Sequence, residues 1–231
     1  GKGAYRSNKK IVLIYPLESL QVVSSNALLK SLEEPADTTL FILITSRIDK
    51  ILSTIKSRCR QIAMPRPTES VAIDWLVSQL AVANIKLSRE ELLKDLYESG
   101  RSPLTAWVHI SQQEDKYQSE SKITLIDALS KGDEINWLDT ADKVFKLPMP
   151  EILLIIERWV SDLLIVKLTN KNFYYPSYHT SMQGCLNGVN IHKLTNYWKK
   201  LIECKRHELH PLSSKLQIEA LLLDYRNIFK S

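Results

Sequence analysis

Three short runs set the first constraint on the fold: KKIVLIYP (9–16), TTLFILITS (38–46) and RQIAMP (60–65). Each is apolar without a polar face, the pattern of a strand buried on both sides. Between the first two lies SSNALLKSLEEP (24–35), with Ser24 or Ser25 placed to cap a helix and Leu28, Leu29 and Leu32 on one stripe. A short amphipathic helix at 48–56 joins the second run to the third. Strand, helix, strand, helix, strand implies right-handed crossovers and a parallel sheet. Three strands make a thin sheet, so the expectation is a partial α/β domain whose remaining strands precede this sequence.

After Pro65-Arg66-Pro67 only helical patterns follow. Pro67 opens TESVAIDWLVSQLAVAN, Ser88 and Glu91 form a capping box for SREELLKDLYES ending at Gly100, and Ser102-Pro103 start a third helix to about Gln113. SQQEDKYQSESK (111–122) reads as a polar linker. EILLIIERWVSDLLIVKL (151–168) is apolar almost all round and must lie at the centre of a bundle or against another chain. Helices at about 190–209 and 211–230, with Pro211 near the start of the second, close the chain. Between them and the apolar helix, 169–190 reads as a loop with three clustered tyrosines. The expected architecture is mainly α with a partial α/β domain: 1–66 α/β, 67–113 a small three-helix domain, 114–121 a linker, and 122–231 a larger helical domain.

Composition narrows the class. With 44% hydrophobic and 25% charged residues among 231, the chain is an ordinary globular protein. Only 6 glycines disfavour a β-sandwich, and a net charge of +5 without a block of like charges is a mild basic bias. Three scattered cysteines do not make a disulfide framework, and the N-terminus lacks an apolar signal region, which points to the cytoplasm.

Candidate chemistry is sparse. Cys204, His207 and His210 are spaced three apart, but that spacing drifts round a helix and supplies no fourth metal ligand. Lys193, Lys199, Lys200, Lys205 and Arg206 cluster with Tyr197 and Trp198 on one helix, as in a surface that tracks a phosphate backbone. Leu194, Trp198, Leu201 and Ile202 form an apolar stripe there, so the charges read as the wet face of a core helix. Lys30 with Glu33 or Glu34 reads as a surface pair. No Ser/His/Asp or Cys/His set proposes hydrolysis.

One segment is distinctive. NALLKSLEEPADTTLFILITSRIDKILSTIKSRCRQIAMPRP (26–67), with its Asn-Ala-Leu-Leu-Lys and Ser-Arg-Cys segments, resembles the second half of the AAA+ module in bacterial DNA polymerase III clamp-loader subunits. The resemblance implies a truncated AAA+ parallel sheet, a small helical lid domain and a C-terminal helical collar domain. It implies that Arg58 is an arginine finger acting in trans on ATP and Mg held by a neighbouring subunit, with Ser57 fixing the turn and Cys59 packing beside it. Guanidinium suits that task because it stays charged and its donors match phosphoryl oxygens.

Aligned on the same family pattern, the acidic pair of an ATP-hydrolysing subunit falls on Tyr15 and Pro16, and Glu18 reads as a solvated helix-start residue. The arginine that reads nucleotide in cis falls on Leu104, while Arg101 reads as surface. Thr45 sits at a position resembling a polar nucleotide sensor, or is a remnant of the fold. No phosphate loop occurs in the sequence. These departures imply the delta-prime type, a non-hydrolysing scaffold that binds no cofactor or metal itself, with any zinc module upstream. The implied partners are gamma/tau and delta subunits in a hetero-pentamer, a sliding clamp and primed DNA. On this resemblance the chain is an accessory subunit of a DNA-directed DNA polymerase (nucleotidyltransferase) holoenzyme. The alternatives are a gamma/tau-like ATP-hydrolysing subunit with a degenerate acidic motif, and a stand-alone basic helical DNA-binding protein.

Overall fold

The structure, a computed structural model, describes residues 10–36, 38–112, 116–206 and 214–230. It is mostly helical and divides into two compact units, 1–65 and 66–231.

In the first unit, strands β1 (Lys10–Ile14) and β2 (Thr39–Leu43) pair in parallel, from Lys10 opposite Thr39 to Ile14 opposite Leu43. The crossover is helix α1 (Val22–Glu33), and helix α2 (Ser53–Arg58) follows β2. Ile14, Phe41 and Leu43 pack with Leu17, Leu28, Ile51 and Ile55 in a small core. Ile11, Leu13, Leu40 and Ile42 alternate onto the opposite, exposed face.

Three expectations are corrected here. Among the described residues the strands are half-buried on one face, which packs against the small core, and exposed on the other. Residues 60–65 form no strand: the segment has no regular secondary structure and no ladder partner among the described residues, and Ile62 and Met64 are exposed. An apolar run without a neighbour's N–H and C=O groups is not a strand. Helix α1 begins two residues before Ser24, with Gln21 in the cap position and no side-chain cap, while Ser25 is buried inside the helix.

The second unit opens with three helices, α3 (Glu69–Ala83), α4 (Arg89–Glu98) and α5 (Pro103–Ser111). Their starts follow the sequence signals. Thr68 Oγ1 accepts from Val71 N, Ser88 and Glu91 form the full capping box, and Ser102 Oγ accepts from Thr105 N ahead of Pro103. Ile73, Leu76, Leu92, Leu96 and Ala106 form their core.

The polar stretch read as a linker is helical from Lys116, within α6 (Lys116–Leu129). It leads to α7 (Trp137–Val144), α8 (Met149–Thr169), α9 (His179–Cys185), α10 (Ile191–Arg206) and α11 (Ser214–Ile228). Helix α8 is central, with Ile152, Ile156, Trp159, Val160 and Leu163 wholly buried against neighbours from the same chain. Its greasiness is thus met internally. Trp159 Nε1 donates to Tyr225 Oη at 2.8 Å, which in turn donates to the Leu129 carbonyl at 2.7 Å, so both polar ring atoms are satisfied in the core.

The segment read as a loop at 169–190 contains α9 and a 3₁₀ turn at Pro176–Tyr178. Asp162, fully buried on α8, anchors its start. Its carboxylate accepts from the backbone N–H groups of Phe173, Tyr174 and Tyr175 at 2.7–3.1 Å. Pro211 lies outside the described residues. Among those residues no helix is long and apolar enough to cross a membrane.

Candidate functional site

Parallel sheets present their chemistry at the carboxyl ends of the strands, where successive loops converge. At that end β1 runs into Tyr15 and Pro16, joined by a cis peptide bond, and then a 3₁₀ turn at Leu17–Ser19. The ladder extends past β2 through Ile44 N to Ile14 O (3.0 Å) and Leu17 N to Ile44 O (2.9 Å), which brings Glu18 beside Thr45.

Thr45 Oγ1 donates to Glu18 Oε2 at 2.6 Å, and Ser46 donates to Glu18 Oε1 through Oγ (2.8 Å) and N (3.3 Å). These donors pull the Glu18 carboxyl down to about 2, led by the Thr45 hydroxyl. Thr45 Oγ1 also accepts from Arg47 N at 3.0 Å. Arg47 in turn grips Asp49 with both prongs, Nε to Oδ1 at 3.1 Å and Nη2 to Oδ2 at 2.9 Å. Glu18 is the partly exposed helix-start residue read from sequence, and it has hydrogen-bond partners that the reading did not foresee. Its carboxylate ties the two strand ends together. Tyr15 is exposed, and no carboxylate stands at either of the two positions following β1.

Arg58 is the last residue of α2. Its Nη1 donates to the Thr54 carbonyl at 3.0 Å, one turn back, where the helix end leaves carbonyls unmatched. Its Nη2 meets Glu33 Oε1, at the end of α1, at 2.5 Å. The Arg58 side chain remains about 35% exposed and that of Glu33 50%. Ser57 Oγ donates to the same Thr54 carbonyl at 3.0 Å and lies 3.5 Å from Arg58 Nη1. Cys59 leaves the helix in extended backbone and packs against the first unit's core, where burial pushes its thiol up.

The i,i+3/i+4 spacing pairs Lys30 with Glu33 or Glu34. Instead Glu33 turns to the neighbouring helix, and Lys30 forms no ion pair among the described residues. The C-termini of α1 and α2, where a cation is favoured and a carboxylate such as Glu33 is not, were the available signal.

In the second unit Leu104 lies near the start of α5 and is 67% exposed, so it reaches no buried partner. Arg101 is more than a surface residue. Its backbone is left-handed (φ 61°), and its guanidinium sits over the rings of Tyr97 (4.9 Å) and Phe173 (5.0 Å). Arg66 also lies over Phe173, at 5.6 Å. A cleft of about 220 Å³ lies alongside, lined by Glu90, Lys94, Tyr97, Glu98, Tyr174 and Tyr175, and burial pushes the Glu98 carboxyl up.

On the basic helix α10, Leu194 and Leu201 of the stripe are fully buried, Trp198 packs beside them and Ile202 is half-buried, while Tyr197, grouped by sequence with the basic residues, is buried too. Lys200 pairs with Asp224 and Lys205 with Glu157, while Lys193 donates to the Lys230 carbonyl. Among the described residues no cluster of three or more metal-ligating side chains occurs; His207 and His210 lie outside them.

Residues 1–68 match the family model described as DNA polymerase III, delta subunit. The DNA polymerase III subunit delta' of Pseudomonas aeruginosa is 44% identical over 103 residues, 45% of this chain and 30% of that protein. The Yersinia pestis subunit delta' is 27% identical over 168 residues, 70% of this chain and 46% of its own length. A DNA polymerase III subunit gamma/tau of Mycoplasma pneumoniae is 28% identical over 123 residues, 53% of this chain and 18% of that protein. In each case the matched part spans less than half of the relative. Residues 1–68, which include the Asn26–Lys30 and Ser57–Cys59 segments, thus carry a family match, and the relatives named delta' are the DNA polymerase III subunits to which the chain is similar.

Proposed function

We propose that this chain acts as part of a delta-prime-type clamp-loader subunit, a non-hydrolysing scaffold that presents Arg58 to ATP bound by a neighbouring subunit. In that role it works in DNA replication, within a complex that sets a sliding clamp on primed DNA. The helices from α6 onward would serve as the collar that holds it among gamma/tau and delta partners.

The observation that carries the reading is the guanidinium of Arg58, tethered at two points yet about a third exposed at the end of α2. Two features support the non-hydrolysing part. Tyr15 and Pro16 stand where Mg²⁺ would need carboxylates, and the nearest acid, Glu18, is spent on Thr45 and Ser46. The chemical demand on the subunit is then to hold one cation in place against charge that develops elsewhere.

The test is Arg58→Ala in the full-length subunit within the reconstituted complex. Assembly should be unchanged, while hydrolysis at the adjacent site falls by roughly 10³-fold or more, the range known for fingers in trans. An unaltered rate at that site overturns the assignment. The gamma/tau likeness favours a second reading, a hydrolysing subunit with a degenerate acidic motif; it requires the full-length chain alone to bind Mg·ATP. The pairing of Lys200 and Lys205 with carboxylates speaks against a stand-alone DNA-binding role.

A further inference from the structure

We infer that Glu33 is the positioning residue for Arg58, and that α1 therefore sets the aim of the finger. This rests on the finger reading above. An arginine at a helix end has four rotatable side-chain bonds, and one tether to its own helix would leave it swinging. The Thr54 carbonyl is such a tether, internal to α2. The Glu33 carboxylate is a second one, supplied by a different helix 25 residues earlier. Together they fix the guanidinium relative to two packed elements, whose shared core includes Leu28 and Ile55.

Arg58 has five N–H groups. Nη1 is engaged by Thr54 O and Ser57 Oγ, and Nη2 gives one bond to Glu33. Nε–H and one Nη2 hydrogen have no partner among the described residues. Those are the donors left for phosphoryl oxygens.

Glu33 also carries a negative charge beside the cation, which opposes anion binding. At 50% exposure water weakens that repulsion, whereas misplacing a catalytic group by about 1 Å can cost up to 10²-fold in rate. Positioning outweighs repulsion.

The experiment uses the reconstituted complex with the full-length subunit as wild type, Glu33→Ala, Glu33→Gln, Arg58→Ala and the Glu33→Ala/Arg58→Ala double variant. Adjacent-site kcat and KM for ATP are measured, with thermal melts as a folding control. Glu33→Ala should lower kcat about five- to tenfold with KM unchanged. Glu33→Gln, which keeps an oxygen acceptor, should recover most of that loss. In the Arg58→Ala background Glu33→Ala should have no further effect, since the two act as one unit. A wild-type or raised rate for Glu33→Ala overturns the inference, as does an additive loss in the double variant. If Arg58→Ala lowers the rate and Glu33→Ala does not, the finger stands and only the positioning role falls. A silent Arg58→Ala removes both.

Discussion

Three donors converge on the Glu18 carboxylate and hold it down to about 2, against an ordinary value of 4.5. A carboxyl whose folded pKa is depressed adds stability above its unfolded pKa and loses it as pH falls through the folded one. Glu18→Ala should therefore be less stable than wild type at neutral pH, with the gap closing between about pH 4.5 and 2. Paired urea titrations at pH 7 and pH 2.5 measure it; a gap of constant size would show that the three hydrogen bonds do not discriminate the ionised form. Residues like this one were poorly legible in the sequence. Ser88, Glu91, Ser102 and Pro103 act within one turn of themselves, so spacing alone revealed them. Glu18 meets Thr45, and Glu33 meets Arg58, across 25 or more residues of chain. Such pairings depend on how strands and helices converge, which no local pattern encodes.

Among the elements, the segment after α8 hangs on Asp162. Its buried carboxylate takes the N–H groups of Phe173, Tyr174 and Tyr175, and Trp159 packs against the rings of Tyr175 (5.8 Å) and Tyr178 (5.6 Å). Asp162→Ala leaves those donors unpaired, at about 1–3 kcal/mol for each one that stays buried. A loss of about 3 kcal/mol or more is expected, read as a lower urea midpoint with unchanged slope. A loss below about 1 kcal/mol would mean that water replaces the carboxylate. The sequence marked the apolar helix correctly but read the segment beyond it as loop, because its short helix α9 is held by tertiary contacts rather than by a strong periodic pattern. The opposite error occurred at 60–65. There an apolar, strand-like run lacks the neighbour that would make it a strand, so composition promised pairing that geometry does not supply.

At the scale of the whole molecule, the chain divides into two compact units after Pro65. What joins them is the stretch from Arg60 to Thr68, exposed at every residue and without regular secondary structure. Proteases need several residues of accessible backbone free of regular structure, and this stretch provides them. Trypsin should cut early after Arg60, spare the Arg66–Pro67 bond because proline follows, and reach helical sites such as Lys94 only later. Mass spectrometry of the first fragments tests this; earlier cleavage at Lys94 than at Arg60 would contradict it. If the cut occurs as expected, one nick detaches Arg58 and Glu33 together, on a single fragment, from every helix beyond Pro67. The piece bearing Arg58 and the piece bearing the bulk of the core could then be recombined, and their mutual affinity measured.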